Sequence, residues 1–218
     1  ASATLSNREI IAFSGIEGEP YEFEIPEYAK TEGIPTKLMC EFTEKALQAT
    51  KASMFNDIFS FIRIQQANSA NDCRIHGDFV ANVDTQKWEE KRADVAYEAV
   101  RQQFVANEEL TKRLLETENA TLAEISEDKV WGTGLKDNND PRMFEPHMWP
   151  GKNLLGKALM RTRDYLRQQK GQADIPPIAA MQYSYVLPGY EKGSEEVNQM
   201  TKKHEESFLQ QWDELAMD

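Results

Sequence analysis

The chain has 218 residues, of which 40% are hydrophobic and 28% are charged, and its formal net charge is −12. This length is enough for one globular domain with a sizeable core. The negative balance excludes a sequence-independent nucleic-acid binder, because such a protein needs a basic face to displace counterions. A helix N-terminus with a few basic residues can still hold a phosphate group in an acidic protein.

Membrane, secretory and metal-binding classes are not indicated either. No segment approaches the ~20 consecutive apolar residues of a membrane helix, and the opening ASATLSNREI lacks the basic and apolar regions of a secretory signal. Cys40 and Cys73 have no metal-ligand spacing, and His76, His147 and His204 are scattered. We therefore expect an intracellular protein with reduced thiols and without a metal, a cofactor or a membrane partner.

The first elements combine strands and helices. Residues 7–30 carry apolar residues at a period of two around two glycines, which predicts a β-hairpin. A run rich in Ala, Leu, Glu and Lys predicts a helix over residues 37–55, and a short helix is expected over residues 56–67. Residues 68–84 show no clear period and are expected to be irregular.

The central part of the chain is mainly helical. Apolar residues at helical spacing predict a helix over residues 85–105, and Asn107 is expected to cap the next helix. A short strand is predicted over residues 121–125, a loop rich in Asp, Asn and Pro over 136–148, and an amphipathic helix over 152–168.

The C-terminal part begins with a connector over residues 175–190, with a candidate strand at 182–186. A last helix is predicted over residues 194–217. The order of a few short strands among dominant helices indicates an α+β fold that is predominantly α-helical. We expect residues 1–218 to form a single domain.

Two ionisable residues share one face of the first predicted helix. Glu44 and Lys51 are seven residues apart, which is two helical turns, so both lie on one stripe beside apolar residues. Such a pair can be reactive, or it can be part of a solvated surface. Trp88 and Arg92, one turn apart, can stack on a base and hold a phosphate, or they can anchor a half-buried helix.

The segment DKVWGTGL places Asp128 and Trp131 just before Gly132. The glycine allows a turn or the close approach of a ligand, and the acidic and aromatic side chains could then contact a sugar. The alternative is a glycine turn that serves only the fold. A lone G-x-G is not a dinucleotide-binding fingerprint.

The segment WPGKNLLGKALMRTR places Asn153 at the start of a helix. Its free N–H groups favour an anion, and Gly156 leaves room for a ligand or for another backbone. Arg163 lies farther along the same helix. The alternative is a capped and packed helix without a ligand.

Taken together and in this order, these segments resemble the NADAR family, also called the YbiA-like riboside N-glycosidases. The family pattern is E-x-Y-F-Q-A-x-K, W-x-x-x-R, a helix with K/Q-F, L-L-x-T-G, D-x-x-W-G-x-G and W-x-G-x-N-x-L-G-x-x-L-M-x-V-R. The matching positions are Glu44, Gln48, Ala49 and Lys51, then Trp88 and Arg92, Phe104 and Asn107, Leu114, Leu115 and Thr117, Asp128, Trp131, Gly132 and Gly134, and finally Trp149, Gly151, Asn153, Leu155, Gly156, Leu159, Met160 and Arg163.

The resemblance is strongest over residues 36–168. Three positions depart from the family pattern and concern the sugar pocket. Lys45 stands where the family has His, Ala46 stands where it has an aromatic residue, and Glu118 stands where it has Gly.

The resemblance implies hydrolysis of an N-glycosidic bond to ribose. Substrates ascribed to the family are ADP-ribose attached to guanine, in nucleic acid or nucleotides, and ribosides of the riboflavin pathway. We expect the first class, with ADP-ribose or an ADP-ribosylated guanine nucleotide or nucleic acid as the partner. A non-catalytic ADP-ribose-binding module and a structural interaction protein are the alternatives.

We expect Lys51, Glu44 and Asp128 to be catalytic. A neutral Lys51 amine can attack the anomeric carbon and form a Schiff base, with Glu44 as proton shuttle and Asp128 contacting ribose hydroxyls or orienting water. A more conservative chemistry makes the two carboxyls an acid/base pair and Lys51 an electrostatic partner. The expected substrate-binding residues are Trp88 and Trp131 at the sugar or base, Gly132 and Gly156 beside the ligand, and Asn153, Arg92 and Arg163 at the diphosphate.

Overall fold

The computed structural model describes residues 10–13 and 16–171, so the predicted strand at 182–186 and helix at 194–217 lie outside the described residues. A single domain over residues 1–218 therefore stays a prediction. The described α-helices and β-strands are β1 (Ile10–Phe13), β2 (Glu17–Glu24), β3 (Lys37–Phe42), α1 (Thr43–Met54), α2 (Ile58–Gln66), α3 (Ala70–Asp78), α4 (Thr85–Ala106), α5 (Glu108–Glu116), β4 (Thr121–Glu124) and α6 (Leu154–Gln169).

The predicted α+β class with dominant helices is confirmed. Helix α4 packs against both α1 and α6, and its buried residues include Val95, Ala99 and Phe104. As predicted, Asn107 caps α5, and its Oδ1 accepts a hydrogen bond from the Leu110 amide at 3.0 Å. Among the helices of the described ranges, none combines the length and the apolar character needed to cross a membrane.

The predicted hairpin over residues 7–30 is wrong. Strand β1 pairs in parallel with β4, where Phe13 lies opposite Glu124, and β2 pairs antiparallel with β3, where Tyr21 lies opposite Cys40. The period of two correctly marks strands, but it reports which side of a strand is buried and not which strand is its partner. A parallel pair also needs a long connection, which no local turn motif reveals.

Residues 37–55 are a strand followed by a helix, rather than the single predicted helix. Leu38 and Cys40 are buried while Lys37 and Met39 are exposed, which is the alternation of a half-buried strand. Helix α1 begins only at Thr43. Helical composition is a weak guide, and side-chain burial decided the conformation of these residues.

Residues 68–84 are also not irregular throughout, because they contain α3. The Ser69 side chain accepts a hydrogen bond from the Asp72 amide at 3.0 Å and caps the helix. Cys73 and Gly77, four residues apart, are the buried residues of α3. The capping pair was readable from the sequence, whereas the polar composition obscured the helical period.

The start of α6 is joined to the turn after β4 by a ladder of backbone hydrogen bonds. The five consecutive amides of residues 151–155 donate to the five carbonyls of residues 129–133, at 2.8 to 3.1 Å. A Cβ on Gly151 would lie 2.3 Å from the Gly132 carbonyl oxygen, so only glycine fits this approach. We call this arrangement the brace.

Asn153 connects the brace to β4. Its backbone is left-handed, with φ of 51°, and its side chain is buried. The side-chain Nδ2 donates to the Leu122 carbonyl at 2.8 Å, and Oδ1 accepts from the Glu124 amide at 3.0 Å. Gly156 lets α6 approach the same strand, because a Cβ there would lie 2.2 Å from the Leu122 oxygen.

We predict that Asn153→Ala destabilises the protein by about 2–4 kcal/mol, because it removes the side-chain partners of two backbone groups of β4. Urea unfolding measures the change, and Asn138→Ala, in the exposed part of the 136–148 loop, is the matched control. Equal stability of the two variants would contradict the role of Asn153 in the brace.

Candidate active site

Helix α1 presents Glu44, Gln48 and Lys51 toward α3. The Gln48 Nε2 donates to Glu44 Oε1 at 2.8 Å, and the Lys51 Nζ donates to the Gly77 carbonyl at 2.7 Å. A Cβ on Gly77 would lie 1.9 Å from the Gln48 Oε1, so the two helices approach closely at this point. Glu44 and Lys51 are therefore held as a pair on one face, as their spacing predicts.

Aromatic rings form one side of this region. The Lys51 Nζ lies 5.4 Å from the centroid of the Trp88 ring, at the start of α4. The Trp88 ring packs edge-on against Trp131 at 6.4 Å and against Phe55 at 6.5 Å, centroid to centroid. Residues from α1, α4 and the turn after β4 thus converge around the lysine amine.

Asp128 organises the turn that carries Trp131. Its Oδ1 accepts hydrogen bonds from the Val130 amide at 2.6 Å and the Trp131 amide at 2.9 Å, and its carbonyl accepts from the Gly132 amide at 3.2 Å. The Asp128 charge acts on Glu44 and on Glu124, the last residue of β4. Three carboxyl groups from three segments therefore lie in one region.

Burial decides the protonation of these groups. It raises the pKa of Glu44, and the charges of Asp128 and Asp78 raise it further, against the hydrogen bond from Gln48 and the charge of Arg74. Burial, with the charges of Glu44 and Asp128, raises the pKa of Glu124 to about 7.

The pKa of Lys51 is shifted in the direction that favours a neutral amine. Burial lowers the pKa of Lys51, and this effect outweighs the charges of Asp78 and Glu44, which raise it. A neutral lysine amine has a lone pair available for attack while one of its N–H groups bonds the Gly77 carbonyl. The site therefore combines a desolvated amine with carboxyls that hold protons more strongly than usual.

The predicted diphosphate contacts are engaged elsewhere. Arg163 is buried and donates to the Thr117 hydroxyl at 2.8 Å and the Ala120 carbonyl at 3.0 Å. Arg92 is also buried and pairs with Glu89. The Arg163 guanidinium thus bonds the turn between α5 and β4, and the Arg92 guanidinium is engaged by Glu89.

The predicted anion site at the start of α6 is likewise occupied by the protein. The amides of residues 151–155 donate to the brace, and both side-chain polar atoms of Asn153 bond β4. Gly156 serves helix–strand packing rather than a ligand. The sequence suggests free N–H groups at this helix start, but in the structure the amides of residues 151–155 donate hydrogen bonds to the carbonyls of residues 129–133.

The sequence missed Glu124, Asp78 and Arg74 as site residues. Glu124 is the one acidic residue of the strand TLAE, and its position among apolar residues was a usable sign. Asp78 and Arg74 lie one helical turn apart on α3, and they were missed because that segment was expected to be irregular.

The family assignment agrees with this geometry. A family model described as the NADAR domain matches residues 8–167. The chain belongs to the NADAR domain family. The family resemblance that the sequence segments indicate is thereby confirmed.

Two relatives and one solved structure extend the comparison of this NADAR domain. N-glycosidase R617 of Acanthamoeba polyphaga mimivirus is 39% identical over 126 residues, which are 57% of this chain and 74% of that protein. Protein irg-1 of Caenorhabditis elegans is 30% identical over 156 residues, 70% of this chain and 72% of that protein. The NMR structure of the E. coli protein YbiA matches with a TM-score of 0.53 at 24% identity, covering 77% of this chain and 90% of YbiA, and this likeness supports the fold.

We predict that the free energy of unfolding decreases as the pH rises from about 5 to about 8. The pKa values of Glu44 and Glu124 are raised in the folded NADAR domain, so the folded state binds more protons above about pH 4.5, near the unfolded pKa of Glu. This stabilisation is fully present below that pH and is lost as the pH rises through the folded pKa, about 7 for Glu124.

The expected decrease is about 1–3 kcal/mol, measured by urea unfolding at several pH values. The double variant Glu44→Gln and Glu124→Gln is expected to flatten the profile, because neither amide can ionise. A wild-type stability that is constant or rises over this range would contradict the raised pKa values.

Proposed function

We propose that this chain is an N-glycosidase that hydrolyses the bond between ADP-ribose and a guanine base. The named activity of the mimivirus relative and membership of the NADAR family support the N-glycosidase class. The observation that carries the proposal is the Lys51 amine, which is desolvated against Trp88 and lies beside carboxyls with raised pKa values. Cleavage of an N-glycosidic bond needs a nucleophile and a proton donor for the leaving base, and these groups can supply both.

The reaction would proceed through a lysine Schiff base. The neutral Lys51 Nζ bonds to the anomeric carbon as the bond from that carbon to the guanine nitrogen breaks, and the leaving base takes a proton from Glu44. The Nζ then gives a proton to the ionised Glu44, the bond between the anomeric carbon and the ring oxygen breaks, and that oxygen takes the proton back from Glu44. Water adds to the resulting imine, the carbon–Nζ bond breaks, and ring closure gives free ADP-ribose.

The other side chains would hold the sugar and base. Asp128 would accept hydrogen bonds from ribose hydroxyls or orient the attacking water, and Trp88 and Trp131 would pack on the sugar or stack on the base. We assign the phosphates to Arg74, an exposed cation whose charge acts on Glu44. In this proposal Arg74 takes the phosphate-binding role that the sequence suggested for Arg92, Arg163 and the start of α6.

Two other functions fit the same residues. Ribosides of the riboflavin pathway would meet the same amine and carboxyls, and they would need no cation for a diphosphate. An ADP-ribose reader would use the aromatic rings without chemistry. The raised pKa of Glu44 and the lowered pKa of Lys51 favour catalysis, because binding alone requires neither shift.

We predict that the protein releases ADP-ribose from an ADP-ribosylated guanine oligonucleotide, as followed by mass spectrometry. Lys51→Ala is expected to lower the release rate by at least about 100-fold, because it removes the nucleophile. Lys157→Ala, at an exposed position on α6, is the matched control and should keep the wild-type rate. Tight binding of the oligonucleotide without release would favour the reader, and release only from riboflavin-pathway ribosides would favour that substrate class.

We further predict that borohydride traps a covalent adduct between the protein and ADP-ribose. Reduction of the imine fixes the sugar carbon on the Lys51 Nζ, and peptide mass mapping locates the added mass. The adduct is expected to form in wild type and in Lys157→Ala but not in Lys51→Ala. Release activity without any trapped adduct, or full activity in Lys51→Ala, would instead favour the acid/base pair of Glu44 and Asp128.

A further inference from the structure

Gln48 lies on α1 between the proposed proton donor, Glu44, and the proposed nucleophile, Lys51, about one helical turn from each. It is buried, with 5% of its surface exposed, whereas the other two residues are partly exposed. Its Nε2 donates to the Glu44 Oε1 at 2.8 Å, and within residues 10–13 and 16–171 no other group donates a hydrogen bond to this carboxyl. One oxygen of Glu44 is thus engaged by the protein, and the other, Oε2, is left for the substrate.

The amide oxygen of Gln48 faces Gly77 on α3. This Oε1 is buried and has no hydrogen-bond partner in the described part of the chain. A Cβ on Gly77 would lie 1.9 Å from the Oε1 and 2.3 Å from the Cδ, so the hydrogen that glycine carries in that place points at the oxygen, as in a weak Cα–H···O contact. The reverse orientation would turn the amide oxygen toward the oxygen of Glu44 and the NH2 group toward a C–H group. Both neighbours therefore favour the orientation in which the nitrogen bonds Glu44.

Gly77 also holds the nucleophile, because its carbonyl accepts a hydrogen bond from the Lys51 Nζ at 2.7 Å. One residue of α3 is therefore in contact with Gln48 through its Cα and with Lys51 through its carbonyl. Contacts from Glu44 to Gln48, from Gln48 to Gly77 and from Gly77 to Lys51 link the proton donor to the nucleophile across the two helices. These contacts fix the orientation of the Gln48 amide relative to both reacting groups.

Resting on the N-glycosidase function above, we propose that Gln48 is a positioning residue that keeps the acidic proton of Glu44 on Oε2. A protonated carboxyl has one carbonyl oxygen and one hydroxyl oxygen, and an amide N–H bonds the carbonyl oxygen, which is the better acceptor. Because Gln48 takes Oε1, the proton lies on Oε2, and the Oε2–H bond breaks as the nitrogen of the leaving base gains the proton. The same N–H then stabilises the carboxylate through a charge-assisted hydrogen bond.

Two substrates that share ADP-ribose and differ in the leaving group test this proposal. Guanine in an oligonucleotide needs a proton as it leaves, whereas 4-nitrophenol attached to the same anomeric carbon leaves as a stable anion without one. Gln48→Met keeps the length of the side chain and removes its N–H. We expect it to lower kcat/KM by about 10-fold or more on the guanine substrate and by less than about 3-fold on the nitrophenyl substrate. Gln66→Met, at the exposed end of α2, is the matched control and should leave both values unchanged.

The ratio of the two losses separates placement of the proton from packing. Equal losses on both substrates, in a Gln48→Met variant that keeps its fold, would mean that Gln48 only packs against Gly77, and this result would overturn the proposal. An unchanged kcat/KM on the guanine substrate would overturn it as well. In both cases cleavage of the guanine substrate by the wild type would leave the N-glycosidase function standing.

NMR of the wild-type protein tests the hydrogen bond without relying on activity or on the folding of a variant. The side-chain amide signals of Gln48 should shift as Glu44 ionises, with the midpoint of the Glu44 carboxyl carbon rather than that of Asp78 or Asp128, whose charges also act on Glu44. Amide signals that do not follow the Glu44 midpoint would overturn the proposal. If the wild type cleaves neither substrate but the two midpoints agree, the proposed function fails and the orientation of Glu44 by Gln48 stands.

Discussion

The active-site geometry depends on the brace, in which the amides of residues 151–155 bond the carbonyls of residues 129–133. Without these bonds the turn that carries Asp128 and Trp131 would be a surface loop, with its backbone groups open to water. The buried Asn153 side chain extends the constraint to β4 and so to Glu124. The two most recognisable segments of the family pattern therefore serve chiefly to position groups, and the amine that reacts in the proposed mechanism lies on α1.

The electrostatics of the site follow from burial more than from charge pairing. The Lys51 amine has carboxyl groups nearby, which raise its pKa, yet burial against Trp88 prevails and lowers it. Burial away from water also raises the pKa values of Glu44 and Glu124. A site in which acids keep their protons and a base loses its proton is arranged for proton transfer near neutral pH.

The sequence predicted what depends on local spacing. Helical periodicity located α4 and α6, and a seven-residue separation placed Glu44 and Lys51 on one face. The sequence could not show that the first amides of α6 would donate hydrogen bonds to another segment. Whether a helix N-terminus is free to bind an anion depends on the tertiary packing. For the same reason Arg163 looked available in sequence, although its guanidinium group bonds the turn between α5 and β4. The pairing of β1 with β4 and the unpartnered oxygen of Glu124 depend on residues far apart along the chain, which no spacing rule connects.

The most direct measurement is a crystal structure of the protein with bound ADP-ribose. We expect the anomeric carbon next to the Lys51 Nζ, ribose hydroxyls against the Asp128 carboxyl, and every hydrogen bond of the brace intact. A diphosphate bound to the amides of residues 151–155, with the brace opened and the ribose away from Lys51, would contradict this account.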